Sequence, residues 1–228
     1  MVKKGRTQKR KKPQSSLALD VMKKHFGRDQ LIGLVAASRT FPVTSRADLQ
    51  IALDRIFAET FRAALYGVHA QFNHEPLSTS HLTTEGPYPP VIGPLQHDEI
   101  DVGGPVPARC IQHGLWLGEN DKLRFAVLVT PAHRYGRELG VRVEVAVPSG
   151  EAGAAFSRSY FRQLEQLVHS GGSYMGKVVS LEAGDSYSGH TGAIRVHKLH
   201  AVERNQVILP AKTLALLDRN VRDRKSVV

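Results

Sequence analysis

The chain reads as an α+β protein: an antiparallel sheet covered by one amphipathic helix, with an N-terminal helical segment ahead of it. Three observations predict this. Leu123 to Val129 is a short apolar run, and Val141-Arg142-Val143-Glu144-Val145-Ala146-Val147 repeats at the period of a half-buried strand. The Gly- and Arg-containing stretch from His133 to Gly140 joins the two as a hairpin. From Ala154 the period lengthens, and Phe156, Tyr160, Leu164, Leu167 and Val168 recur at three- and four-residue steps, which places them on one helical face. Gly171-Gly172 stops that helix, and Lys177 to Leu181 returns to strand.

At 228 residues and 41% apolar content the chain has material for one medium domain with an ordinary core. No run approaches the roughly 18 to 20 apolar residues of a membrane span, and no apolar segment follows the basic N-terminus as in a secretory signal. The expectation is a cytoplasmic protein without membrane contact. A single cysteine, Cys110, leaves no second thiol for a disulfide or a zinc site, which suits a reducing compartment. Of the formal net charge of +10, seven charges sit in one acid-free block: Lys3, Lys4, Arg6, Lys9, Arg10, Lys11 and Lys12. Residues 1–16 are therefore read as a disordered basic tail. It is either a solvated appendage or a weak, nonspecific nucleic-acid contact working by counterion release. No RNP pattern, recognition helix or finger spacing accompanies it.

Residues 17–68 are read as a helical segment. Leu17, Leu19, Met22 and Phe26 carry a helical pattern that resumes after Gly27 in Leu31-Ile32-Gly33-Leu34-Val35. A stronger helix opens at Thr44 or Ser45, where a capping hydroxyl precedes Asp48, an acid suited to the helix dipole. Its apolar stripe is Leu49, Leu53, Ile56, Phe57, Phe61 and Leu65. Residues 69–107, rich in His, Pro, Gly and Thr, are read as a loop-rich linker or a mobile functional loop, with a short edge strand at His97 to Val102. Pro87 to Pro90 lacks a P-x-x-P series. Residues 108–204 form the α+β core domain, entered through Ala108 to Ile111 and Leu115 to Leu117. Residues 205–228 are a connector helix with Leu214, Leu217 and Val221 on one face.

The candidate chemistry is thin. Gly171-Gly172-Ser173-Tyr174-Met175-Gly176-Lys177-Val178 fits G-x-x-x-x-G-K, but Val178 stands where a nucleotide loop needs a magnesium-binding hydroxyl. Its context is inverted as well, since a phosphate loop follows a strand and opens a helix. Among 11 histidines, His197 and His200 sit three apart on a strand and so on opposite faces, with His190 in the loop before them; no acid or thiol ligand stands at a defined spacing. Cys110 and His113 are likewise splayed by a strand, and the thiol reads as buried and structural. Ser186 to Gly192 lacks the elbow of a serine hydrolase. No catalytic residue, cofactor or metal is expected, and the chain is not expected to be an enzyme.

One resemblance adds to this reading. Val207-Ile208-Leu209-Pro210, followed by an amphipathic helix carrying Leu214 and Leu217, resembles the connector that leads into the ATPase module of bacterial AAA-type ATPases. A similar run precedes the module of the mitochondrial AAA protein that translocates a folded Rieske subunit. Arg109-Cys110-Ile111 through Leu115, the Val141 to Pro148 strand and Tyr174 to Glu182 are similar to the N-terminal domain of those bacterial proteins, so the likeness runs from about Leu95 to Val221. It implies a non-catalytic, chaperone-like domain that recognises or positions substrate protein for a hexameric ATPase ring. The family's nucleotide loop, acidic magnesium motif and arginine fingers should follow the connector, where this sequence has only Arg222 to Val228. The chain is therefore expected to be a fragment, or a product that has lost its motor, and to hydrolyse no ATP.

Overall fold

The structure is a computed structural model and describes residues 16–70, 77–120, 123–134, 137–181, 194–198 and 208–223. Its centre is a meander of β6 (Gly114–Asn120), β7 (Leu123–Arg134) and β8 (Arg137–Pro148), each antiparallel to the next. The predicted hairpin is the β7–β8 pair, with one register shift at Ala132/His133. The N-terminal part of the chain then flanks this meander on both sides. β1 (Leu34–Pro42) lies along β8, while β2 (Arg62–His69) lies along β6 and carries β3 (Val91–Gly93) beyond it. The result is a six-stranded antiparallel sheet in the order β1-β8-β7-β6-β2-β3, and the molecule is α+β.

Both faces of the sheet are covered, which corrects the expectation of a single covering helix. On one face lie α3 (Arg46–Glu59) and α5 (Glu151–His169). Their buried residues, among them Leu49, Leu53, Ile56, Tyr160, Phe161 and Leu164, meet Phe125, Val127, Val129, Val141, Val143, Val145 and Val147. On the other face α1 (Ala18–Phe26) and α4 (Thr79–Thr83) bury Ala18, Leu19, Met22, Phe26 and Leu82 against Leu115, Leu117, Ala126, Leu128 and Ala146. The second face was legible in part. Leu115-Trp116-Leu117 and the Leu123 to Val129 run do not alternate, as strands covered on both sides do not. Two buried polar residues of the sheet on that face are bonded: Glu144 accepts from the Thr79 amide at 3.1 Å, and the Thr130 hydroxyl donates to the Leu77 carbonyl at 3.4 Å.

Four further expectations are corrected. The helical pattern at Leu31 to Val35 ends after α2 (Arg28–Leu31), and Leu34 to Pro42 is strand because it fills the open side of β8, a tertiary demand that overrides local periodicity. Segment 17–68 thus contains β1 and most of β2, and Phe61 and Leu65 lie beyond the end of α3 while still packing on the same core. Segment 69–107 is no plain linker, since it holds α4, β3 and β4 (His97–Ile100), the last paired with β5 (Ala108–Ile111). β9 (Val178–Leu181) does not return to the main sheet; it pairs with β10 (Ile194–His197) as a ribbon. Met1–His197 is one compact unit and Lys198–Val228 another, the latter containing α6 (Ala211–Asp223).

The core between the sheet and α3/α5 is aromatic. Phe57 stacks on Trp116 with ring centroids 4.9 Å apart and planes 7° from parallel, and Phe61 meets Phe125 edge-on at 5.0 Å. Phe125 needs Gly118 opposite it, because a Cβ there would lie 2.4 Å from its ring. Tyr160 is wholly enclosed, and its hydroxyl has no hydrogen-bond partner among the described residues. Phe125→Ala should therefore cost about 3–5 kcal/mol of unfolding free energy. Tyr160→Phe, which removes an unsatisfied hydroxyl without opening a cavity, should leave stability unchanged or raise it by about 1 kcal/mol in a urea titration.

Candidate functional site

The polar residues of the larger unit converge at a junction where α3, the β4–β5 hairpin and the loop after α5 meet. Ser45 stands at the head of α3 but its hydroxyl makes no capping bond, against the sequence expectation; a 3₁₀ turn, Val43–Ser45, leads in instead. Asp48, in the first turn, accepts bonds from the Ser173 amide at 3.0 Å and its hydroxyl at 2.6 Å. Gly171 is held so close that a Cβ would lie 2.5 Å from the Asp48 carboxylate. The loop runs from the end of α5 to β9, the reverse of the setting in which backbone amides cradle phosphate. Its Lys177 donates to the Val102 carbonyl and, at 2.7 Å, to that of Ser173. The ammonium that would reach a nucleotide here ties two loops together.

One turn away, Arg46 is buried and pairs with Asp98, which also accepts from Gln112. Gln50 receives the Ile111 amide at 2.9 Å and donates to Asp54 at 2.8 Å; burial raises the Asp54 carboxyl above its ordinary value, opposed by that bond. Cys110 lies among these groups with its thiol directed at the Arg46 carbonyl, 3.7 Å away, and burial pushes its pKa up to about 11. A thiol so held stays protonated near neutrality and is no nucleophile. His113 is pulled below the usual imidazole range, first by burial and then by the positive field of His69, His133 and Arg46. The junction is a structural tie between elements distant in sequence, and its ionisable groups are occupied in making it.

Of the other sequence candidates, His197 faces the Ser180 hydroxyl at 2.8 Å across the β9–β10 ribbon, and His190 and His200 lie outside the described residues. Among the described residues no three His, Cys, Asp or Glu side chains gather as a metal site, and no helix is long and apolar enough to cross a membrane. The tail residues Lys3, Lys4, Arg6, Lys9, Arg10, Lys11 and Lys12 lie outside the described residues, as does Val207. The C-terminal helix read from the sequence is α6, its first turn closing on the Pro210 carbonyl through the amides of Thr213 and Leu214. Ile208 is 95% exposed, Leu216 59%, and Leu209 and Leu214 less so.

The surface features that remain are grooves. One of about 350 Å³ lies between α4 and the Pro87 to Pro90 bend, bordered by the exposed Tyr88. Another, of about 410 Å³, lies between β1 and α5 and is lined mainly by apolar atoms. The residues of this second groove escaped sequence reasoning, since Val35 and Ala37 read as helix there and Ala154 carries no chemical signal. No protein-family model matches this chain, and comparison with curated proteins and with solved structures returned no similar protein.

Two outcomes follow from the junction. Asp48→Ala should lower stability by about 1–3 kcal/mol and expose the 171–177 loop to limited proteolysis, because two donors lose their acceptor. His113, and His25, whose pKa burial also lowers, are held neutral in the fold. The unfolded chain takes up these protons first, from about pH 6.5 downward, so unfolding free energy should hold its full value above that pH and decline as the pH falls below it. Asp54 acts with the opposite sign and closer to the carboxylate range. Urea titrations of His113→Gln should show a shallower decline.

Proposed function

We propose that this chain is a non-catalytic recognition or regulatory domain that works on polypeptide for an AAA-type ATPase ring, with α6 as the connector. The observation that carries the reading is α6 itself, an amphipathic helix in a unit of its own, led in by the apolar run Ile208–Leu209 and preceded by a separate compact α+β unit. An amphipathic helix led in by exposed apolar residues suits a lever between one domain and the next. The character of the larger unit supports the same reading. Its thiol is protonated, its loop lysine and Asp48 are spent on internal bonds, and the exposed Val35 and Tyr88 each border a surface groove, so what it offers outward suits protein contact.

The purified chain should show no magnesium-dependent ATP turnover. Joined in frame through α6 to an AAA module, it should make that module's hydrolysis rate respond to an unfolded client protein, and Leu214→Asp should uncouple the response. Turnover by the isolated chain, or full coupling in Leu214→Asp, would overturn the proposal.

A further inference from the structure

The two edges of the main sheet are built differently. At one, β3 is only three residues long, the common way of denying a sheet edge to other strands. At the other, β1 runs for nine residues in unbroken register with β8, from Leu34 opposite Pro148 to Pro42 opposite Gly140. Every second residue of an edge strand turns its N–H and C=O away from the sheet. No backbone bond from another described element meets this outer side. The usual guards are sparse. β1 has no bulge and no lysine, its proline comes only at the end, and its one charge, Arg39, is held inward over the Phe161 ring at 4.9 Å and paired with Glu165.

Beside this open edge lies the 410 Å³ groove, with Val35 and Ala37 of β1 on one wall and Ala154 and Phe161 of α5 on the other. Val35 is 54% exposed although it lies on the face that is buried elsewhere in the sheet, and Ile32, just before the strand, is 93% exposed. A strand laid along β1 would continue the pleat, so its alternate side chains would fall beside Val35, Ala37 and Arg39, over the groove. The charge at the rim sets the partner's chemistry. Arg158, which lines the groove, and Arg162 one turn on are exposed and in no ion pair among the described residues.

We propose that this edge and groove bind an extended polypeptide segment of alternating apolar and acidic residues, added as a further strand to β1, with an apolar side chain in the groove and carboxylates at Arg158 and Arg162. A second copy of this chain fits less well, since pairing β1 with itself would bring two sets of Arg158 and Arg162 together in a chain of net charge +10. A nucleic acid has no backbone amides to pair with the strand. The proposal rests on the recognition role above and deepens it by naming the surface and the segment.

The test uses the full chain and a fluorescein-labelled octapeptide of alternating valine and glutamate, followed by fluorescence anisotropy. Saturable binding is expected. Ala154→Trp, which fills the groove from an exposed helix position, and Arg158→Glu should each weaken it by about tenfold or more with the melting temperature unchanged. The same peptide N-methylated at alternate amides should not bind, because it cannot pair with a strand edge. No binding, equal binding by both variants, or equal binding of the methylated peptide would overturn the proposal. So would a chain dimer in sedimentation that Ala154→Trp dissociates, which would give the edge to a second copy. A chain that ignores the octapeptide yet still couples to an AAA module keeps the recognition role and loses only this groove.

Discussion

Burial of β7 on both sides is the constraint on which the molecule depends. Phe125, Val127 and Val129 point to one side of the strand and Ala126 and Leu128 to the other, and all are buried. A strand of this kind cannot rest on one helix. It requires cover above and below, and the N-terminal part of the chain supplies it: α1 beneath, α3 above, and β1 and β2 at the sides to extend the sheet over which those helices lie. Each fully buried Leu, Val or Phe contributes about 1.5–3 kcal/mol. The second layer therefore adds as much in kind as the first, and the meander alone would leave half of its apolar side chains in water.

The polar junction answers a problem this arrangement creates. Bringing α3 across the sheet leaves its first turn facing the loop after α5 and the β4–β5 hairpin, three pieces of chain with unpaired backbone groups. Asp48 and Gln50 accept from the Ser173 and Ile111 amides, Lys177 donates to the Val102 and Ser173 carbonyls, and Asp98 ties the Arg46 and Gln112 side chains together. The network sits at the border of the core, so its neighbours Cys110 and His113 are desolvated into their neutral forms. Residue types that in other settings do chemistry are here the mortar between elements.

What the sequence made legible follows the range of the forces involved. The β7–β8 hairpin, α5 and α6 are set by local periodicity and turn residues; the two helices lie where periodicity places them, while the hairpin's strands run on to Arg134 and start again at Arg137, through most of the stretch read as a joining loop. β1 was misread because Leu31 to Val35 carries a helical pattern over too few residues, and its strand conformation comes from β8, about a hundred positions further on. The Asp48–Ser173 contact, between partners 125 positions apart, leaves no trace in composition or spacing. The inverted setting of the Gly171 to Val178 loop was readable, since a preceding helix and a following strand are both local features. The groove beside β1 was not, because its walls are ordinary apolar residues that acquire meaning only once the two elements lie side by side.

The pairing of Leu34–Pro42 with Gly140–Pro148 also orders events in time. During synthesis β1 emerges from the ribosome long before its partner exists, and it must wait while the intervening chain is made. Through that interval an apolar, strand-prone stretch stands in water with no sheet to join. Contacts this remote in sequence carry a heavy loop-closure penalty and slow the search for the native state. The first strand in the chain is thus among the last to find its place, and the newborn polypeptide passes through a stage in which general chaperones have reason to attend it.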